Sequence, residues 1–186
     1  MNISLLQQEG DKMMKKEFEL STRTMTYMAI FAALQIVLEY CTKIYEMPQG
    51  GNIAFSLVPI FLCSYLMNWK YGVVVSLVSL GVQFALGLAV FYGPLSVIFD
   101  YIIPMVLVGM TGLIPLAHYK QYEIPVGIIV MCVLKTISHL LAGWYAFATP
   151  LKGNLTYNLP YNIGTLIVCF ILFMILYPRL KKAVRF

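Results

Sequence analysis

The sequence predicts an all-α membrane protein with six transmembrane helices, and three features of its composition lead to this fold class. Hydrophobic residues make up 60% of the 186 residues and charged residues only 11%, whereas soluble domains contain about 25% charged residues. The mean hydropathy is +0.80. The apolar residues occur in six long runs, which lack the alternation typical of barrel strands. Because such a chain cannot cover a water-facing surface with polar groups, a soluble enzyme and a disordered protein are excluded.

Each apolar run approaches the roughly 20 residues that a helix needs to cross a bilayer, and the second run is the shortest. The predicted helices span 24–41, 53–67, 72–91, 95–116, 124–148 and 161–177. The beginning of the chain mixes acidic and basic residues and lacks the pattern of a signal peptide. We therefore expect a cytoplasmic tail at 1–22, a six-helix transmembrane domain at 23–182 and a short cytoplasmic end at 183–186.

The distribution of basic residues predicts the orientation. Ten of the 13 Lys and Arg residues fall in the two tails and in the loops after helices 2 and 4, and an excess of these residues marks the cytoplasmic side. We therefore expect both termini in the cytoplasm of a cell, most simply a bacterial one, and the loops after helices 1, 3 and 5 outside. The sequence contains no phosphate-binding GxxxxGK[ST] loop, so active transport would draw its energy from an ion gradient or from another subunit.

Four ionisable residues at membrane depth predict a binding site, because charged groups are costly there and are usually functional. Asp100 lies in helix 4, and Lys135 and His139 share one face of helix 5 at a spacing of one turn. With Asn162 of helix 6 they converge on the outer half of the membrane, which predicts a pocket open to the outside. Each is also typical of hydrogen bonding between helices, and Glu39, near the end of helix 1, is expected to reach for the interface.

The residue types around this pocket suit a flat organic cation. Aromatic rings attract a cation, a carboxylate neutralises its charge or accepts hydrogen bonds from an amine, and His and Asn fix its orientation. Tyr101, Trp144, Tyr145 and Phe147 are typical of such a box or of an outer aromatic belt. The sequence contains neither a GxSxG elbow nor an HExxH motif, which argues against an enzyme. The four cysteines are predicted to be buried thiols: Cys41, Cys63, Cys132 and Cys169.

Four segments between residues 24 and 182 carry a resemblance to a known family. They are Met47-Pro48-Gln49-Gly50-Gly51-Asn52 with the following Leu57-Val58-Pro59-Ile60-Phe61-Leu62, then Phe99-Asp100-Tyr101, then Lys135-Thr136-Ile137-Ser138-His139-Leu140-Leu141-Ala142-Gly143, and Tyr157-Asn158-Leu159-Pro160-Tyr161-Asn162. In order and spacing they resemble the thiamine-specific substrate-binding (S) components of energy-coupling factor (ECF) transporters.

The resemblance implies a role for each matching residue. Asp100 would contact thiamine, and Lys135 would support or pair with its carboxylate. The loop after helix 1 would act as a lid, for which its glycines give the backbone freedom to close. The other implied pocket residues are Tyr101, His139, Tyr157 and Asn162, with Phe147 or Trp144 stacking on a ligand ring, and the lid residues are Gly50, Gly51 and Asn52.

Helix 1 carries a further feature of this transporter class. Ala29 and Ala33 form a small-xxx-small face, which permits close approach of another helix. The resemblance implies that this face docks on the shared transmembrane coupling subunit, while two cytosolic ATPases supply the energy. Packing within the chain is the alternative. We expect no cofactor or metal in this chain and no nucleic-acid partner.

Three alternatives remain open at this point. The chain has Thr136 and Asn158 where several family members have Tyr and Ser, and no tryptophan near Gly50, so another vitamin or a pyrimidine precursor is an alternative ligand. A non-transporting assembly or sensor subunit would use the polar residues only to join helices. A self-sufficient ion-coupled carrier would transport without an ATPase.

Overall fold

The computed structural model describes residues 19–47 and 51–183, which form six helices and one short β-hairpin. The helices are α1 (Thr22–Thr42), α2 (Val58–Leu66), α3 (Trp69–Ala85), α4 (Pro94–Leu113), α5 (Val126–Tyr145) and α6 (Leu151–Ala183). Single 3₁₀ turns, Lys43–Tyr45 and Phe55–Leu57, follow α1 and precede α2. Four helices, α1, α4, α5 and α6, are long and apolar enough to cross a membrane, and α2 and α3 are shorter apolar helices. The predicted fold class is confirmed.

The short helix α2 forms the centre of the bundle. Every one of its residues except Leu66 is buried. The Ser64 hydroxyl donates to the carbonyl of Gly109 at 2.7 Å and accepts from the N–H of Gly112 at 2.7 Å. A Cβ at Gly72 of α3 would lie 2.8 Å from the Ser64 Cβ. Small residues therefore let α2, α3 and α4 approach closely, as is typical of helices packed in lipid.

Helix α4 is irregular where it carries Asp100. Residues Val97–Ile102 form a π-helical stretch, in which the N–H of Ile103 bonds to the carbonyl of Ile98. Pro104 follows, and a proline inside a helix both lacks an N–H and clashes with the carbonyl four residues earlier, here that of Asp100. The wider π turn accommodates the proline, and such turns are frequent at functional sites.

The end of α3 differs from the prediction, which continued the helix to residue 91. The helix ends at Ala85, and Gly87 follows with a φ of 69°. The N–H of Leu88 bonds to the carbonyl of Gln83 at 2.8 Å, a closing bond typical of a glycine-terminated helix. The apolar residues beyond it form a loop, because hydrophobicity alone does not define a helix end.

The beginning of α6 also differs from the prediction at residue 161. The helix begins ten residues earlier, at Leu151, and continues through Pro160. The polar residues before Pro160 have the composition of a loop, but Asn154, Asn158 and Asn162 follow one another at four-residue intervals on the buried face. A proline is tolerated in a membrane helix where neighbouring groups satisfy the freed backbone atoms.

Two further features were not predicted. The loop after α4 contains a β-hairpin of β1 (Ala117–Tyr119) and β2 (Tyr122–Ile124), with His118 opposite Glu123. Glu123 accepts a hydrogen bond from Lys181 near the end of α6 at 2.5 Å.

Among the cysteines, Cys41 is exposed, whereas the other three are buried as expected. The predicted tails fall largely on residues 1–18 and 184–186, outside the described residues.

Candidate functional site

A cavity opens near one end of the bundle, between the loops after α1, α3 and α5. Its lining includes Asn52, Tyr92 and Thr149 from these three loops, the loops predicted to face outside. Residues of α1, α3, α4, α5 and α6 complete the walls. The prediction confined the pocket to helices 4, 5 and 6 beneath the first loop, and this boundary was too narrow.

Asp100 and His139 form a pair in the cavity wall. The His139 Nδ1 lies 2.9 Å from an Asp100 carboxylate oxygen, and the Ser96 hydroxyl donates to the other oxygen at 3.1 Å. One residue before His139, the Ser138 hydroxyl donates to the backbone carbonyl of Phe99 at 2.6 Å. These bonds join α4 to α5 and hold the carboxylate in place at the cavity.

Lys135 also lines the cavity, but its partner differs from the one expected. Its ammonium group donates to the side-chain oxygen of Asn162 at 2.6 Å, not to Asp100. The Asn162 amide donates in turn to the carbonyl of Asn158 at 2.9 Å, and the Asn158 amide donates to the side chain of Asn154 at 2.6 Å. Asn162 does not itself line the cavity. It supports Lys135 from α6, where Asn154, Asn158 and Asn162 are joined by hydrogen bonds, and it takes the place of Asp100 as the hydrogen-bond acceptor of Lys135.

Aromatic side chains form much of the remaining surface. Tyr92 and Phe147 are in edge-to-face contact, with ring centroids 5.6 Å apart, and Tyr157 contacts Tyr161 at 5.7 Å. Tyr101 accepts a hydrogen bond from a backbone N–H of the loop after α3 at 3.1 Å. All five rings line the cavity, so it presents π faces together with a carboxylate.

Trp144, the alternative to Phe147 for stacking on a ligand ring, does not line the cavity, whereas Phe147 does. Its side chain is 60% exposed and stacks on Tyr145 with ring centroids 6.1 Å apart. Trp144 therefore lies on the face of α5 that points away from the other helices. Trp144 and Tyr145 therefore match the alternative of an aromatic belt.

The loop after α1, which was expected to act as a lid, meets the cavity at Gly51. The N–H of Gly51 donates to the hydroxyl of Tyr157 at 3.1 Å. A Cβ at Gly51 would lie 2.9 Å from a ring carbon of Tyr161, so only glycine fits this approach without displacing the tyrosine. Asn52 also lines the cavity, whereas Gly50 lies outside the described residues.

Sequence reasoning missed the wall formed by α1 and α3. Gln35, Glu39 and Gln83 line the cavity, so Glu39, which was expected only to reach for the interface, also faces the cavity. The signal was present, because Gln35 and Glu39 are one helical turn apart in an apolar run. Both glutamines are uncharged, so the cost of burying a charge in the membrane gave no reason to single them out.

In the part of the chain that the structure describes, the small-residue face of α1 is not covered by another helix. Ala29 and Ala33 are both exposed, and larger apolar residues on the same helix are exposed beside them, among them Ile30 and Val37. Packing against the other described helices therefore does not account for these two alanines.

Comparison with known proteins gives consistent results. The family model described as thiamine transporter protein (Thia_YuaJ) matches residues 25–185. The thiamine transporter ThiT of Bacillus subtilis (strain 168) is 27% identical over an alignment of 177 positions, which covers 84% of this chain and 92% of the relative. The structure of ThiT from Listeria monocytogenes superposes with a TM-score of 0.69 at 18% identity, covering 86% of this chain and 95% of that one. That structural likeness shows a shared fold.

Proposed function

Since this chain belongs to the thiamine transporter protein family, we propose that its cavity captures thiamine from outside the cell and that the chain is the substrate-binding subunit of an ATP-driven importer. The family and the similar B. subtilis protein are transporters, not enzymes. The chain is accordingly a multi-pass membrane protein that serves thiamine transport. The binding residues, the partner subunits and a location in the bacterial cytoplasmic membrane are parts of the proposal.

The observation that carries the proposal is the charge and shape of the cavity. Among the described lining residues, Glu39 and Asp100 contribute two carboxylates and Lys135 one ammonium group. Counted by formal charge with a neutral imidazole, these groups have an excess of one negative charge, which the single positive charge of a thiazolium ring would balance. Aromatic walls attract such a ring through its charge and its flat face.

The individual roles follow from the contacts. Asp100, fixed by His139, would face the cationic ring, and Phe147 would stack on it beside Tyr101. Tyr157 would close over the ligand together with the lid at Gly51. Burial of the rings by the lid excludes water and strengthens each electrostatic contact.

Coupling to ATP is proposed to run through α1. The exposed pair of Ala29 and Ala33 permits a helix of the coupling subunit to approach closely, and two ATPases of the ECF module would drive the release of thiamine to the inside. Substitution of Ala33 by Leu is expected to abolish uptake while leaving thiamine affinity unchanged. The same substitution at Ala85, an exposed alanine of α3, is the matched control and should leave uptake intact.

The test is uptake of labelled thiamine by cells that produce this chain with an intact ECF module, with an ATPase-inactive module, or with none. Uptake only with the intact module is the expected result. Uptake without any module would show a self-sufficient ion-coupled carrier. A folded chain that neither binds nor transports thiamine would contradict the proposal and favour another ligand or a non-transporting subunit.

A further inference from the structure

The β-hairpin after α4 lies at the end of the bundle opposite the cavity, and the proposed capture of thiamine does not use it. Its strands β1 and β2 contain three residues each, and Lys120 and Gln121 join them. Tyr119 and Tyr122 are cross-strand partners on either side of this turn. We call Tyr119, Lys120 and Tyr122 the hairpin tip, and all three residues are exposed.

The two faces of the hairpin have different surroundings. Side chains alternate between the faces of a strand, so Glu123 lies on the face opposite to Tyr122. The Glu123 carboxylate accepts from Lys181 at 2.5 Å, which joins one face of the hairpin to α6. Tyr119, directly across from Tyr122, shares the other face. The two tyrosines therefore point away from the contact with α6, with exposed fractions of 62% and 54%.

Lys120 lies beside these tyrosines in a backbone conformation that disfavours lysine. Its φ is 55°, in the left-handed region that glycine, asparagine and aspartate adopt most readily. Its ammonium group lies 5.5 Å from the centroid of the Tyr119 ring, so a cation and two phenol groups adjoin at the tip. Strained residues of this kind cluster at functional sites, which directs attention to what the lysine binds.

The charge around the hairpin is unbalanced. Arg179 and Lys182 are exposed at the adjoining end of α6. None of the ion pairs among the described residues involves Lys120, Arg179 or Lys182, whereas the charge of Lys181 is neutralised by Glu123. The hairpin and the end of α6 therefore present an excess of positive charge, to which an anion is complementary.

The position of the tip selects the kind of anion. Helix α5 begins at Val126, two residues after β2, so the base of the hairpin adjoins the end of a membrane helix. Three residues of a strand extend about 10 Å at most, and each headgroup layer of a bilayer is about 5–8 Å thick. The tip therefore lies within reach of the lipid phosphates, at the level where tyrosine is enriched in membrane proteins.

We propose that the hairpin tip is a binding site for the headgroup of an anionic phospholipid. The Lys120 ammonium group would pair with the lipid phosphate, and the hydroxyls of Tyr119 and Tyr122 would donate to its oxygens. The two uncompensated charges at the end of α6 would attract further anionic lipid to this surface. The ion pair between β2 and α6 holds the hairpin in place.

The test is titration of the purified, detergent-solubilised chain with phosphatidylglycerol or phosphatidylcholine, with the bound lipid counted by native mass spectrometry. Phosphatidylglycerol should bind the wild type more tightly than phosphatidylcholine does. Lys120→Gln should weaken phosphatidylglycerol binding about 5-fold, the effect of one basic residue near anionic lipid, and leave phosphatidylcholine binding unchanged. Lys152→Gln, the same change at an exposed lysine near the cavity end, is the matched control and should bind both lipids as the wild type does.

A second variant separates the charge of Lys120 from its backbone conformation. Lys120→Gly also removes the charge, but glycine adopts a positive φ without strain. It should therefore lose phosphatidylglycerol binding to the same extent as Lys120→Gln while it elutes as folded protein in gel filtration. Lys120→Arg, which keeps the charge, should retain the binding.

Equal phosphatidylglycerol affinity in Lys120→Gln and the wild type would overturn the proposal. An equal loss in Lys152→Gln would also overturn it, because the effect would then follow net charge alone. Glycerol 1-phosphate, which has a phosphate but no acyl chains, should not compete, and effective competition would indicate a site for a soluble anion instead. Loss of thiamine uptake in Lys120→Gln with unchanged lipid binding would indicate contact with a partner subunit and would likewise overturn the lipid site.

Discussion

Replacing Asp100 by Asn tests the proposed cation site without removing its packing. Asparagine has nearly the same shape, and it can still accept from Ser96 and bond to His139, the two partners of the carboxylate in the structure. The change therefore removes a negative charge while largely preserving the contacts between α4 and α5. It also removes the excess negative charge of the described lining residues, because one carboxylate and one ammonium group then remain.

The magnitude follows from this loss. Removing one partner of a buried charge pair costs about 2–5 kcal/mol of binding free energy, so thiamine should bind about 30- to 4,000-fold more weakly. The free energy of unfolding should change by less, about 0.5–1.5 kcal/mol, the typical net contribution of one hydrogen bond. The separation between these two effects distinguishes a ligand site from a structural join between helices.

The assay combines calorimetric titration with thermal unfolding of the detergent-solubilised protein. Glu123→Gln, which removes a carboxylate paired with Lys181 far along α6, is the matched control and should bind as the wild type does. Wild-type affinity in folded Asp100→Asn would refute the assignment of the cation site. Loss of folding in place of binding would instead favour a structural role for Asp100.

Three further changes give distinct expected outcomes. His139→Ala should weaken thiamine binding about 10- to 100-fold in titrations, because it frees the carboxylate that the imidazole orients; unchanged affinity would show that this orientation is dispensable. Gly51→Ala should accelerate thiamine dissociation measured by stopped flow, because its Cβ displaces Tyr161, whereas Gly81→Ala, which meets nothing within 4 Å, should not, and equal rates would contradict the lid contact. Lys135→Met leaves the acceptor of Asn162 unpaired and should lower the free energy of unfolding by about 1–3 kcal/mol; undiminished thermal stability would contradict a supporting role for this pair.

The fold was predictable because a bilayer constrains a chain strongly. Apolar runs of sufficient length located all six helices, and ionisable residues within these runs identified Asp100, Lys135 and His139. All three line the same cavity. Such inferences need only composition and depth, since charge in a membrane requires a compensating role.

The missed features depend on backbone geometry and side-chain contacts that apolarity does not reveal. Apolarity does not mark the end of α3, where Gly87 adopts a positive φ. Composition also does not reveal the buried face of α6 formed by Asn154, Asn158 and Asn162, because polar residues in this segment are equally typical of a loop. The pairing of Lys135 with Asn162, and not with Asp100, depends on that longer helix.

The cavity wall formed by α1 and α3 was missed for a different reason. Gln35 and Gln83 carry no charge, so a search for ionisable groups passes over them, although a buried amide in lipid also requires partners. Two polar residues one helical turn apart in an apolar run, one a hydrogen-bond donor and the other an acceptor, indicate a polar face on that helix. The pair of Gln35 and Glu39 shows this spacing in the sequence itself.

The most direct test of the central claim is calorimetric titration of the purified wild-type chain with thiamine. Calorimetry is preferable to tryptophan fluorescence because Trp144 is exposed and lies away from the cavity. We expect tight, saturable binding of one thiamine per chain. The absence of binding to protein shown to be folded would contradict the proposed function.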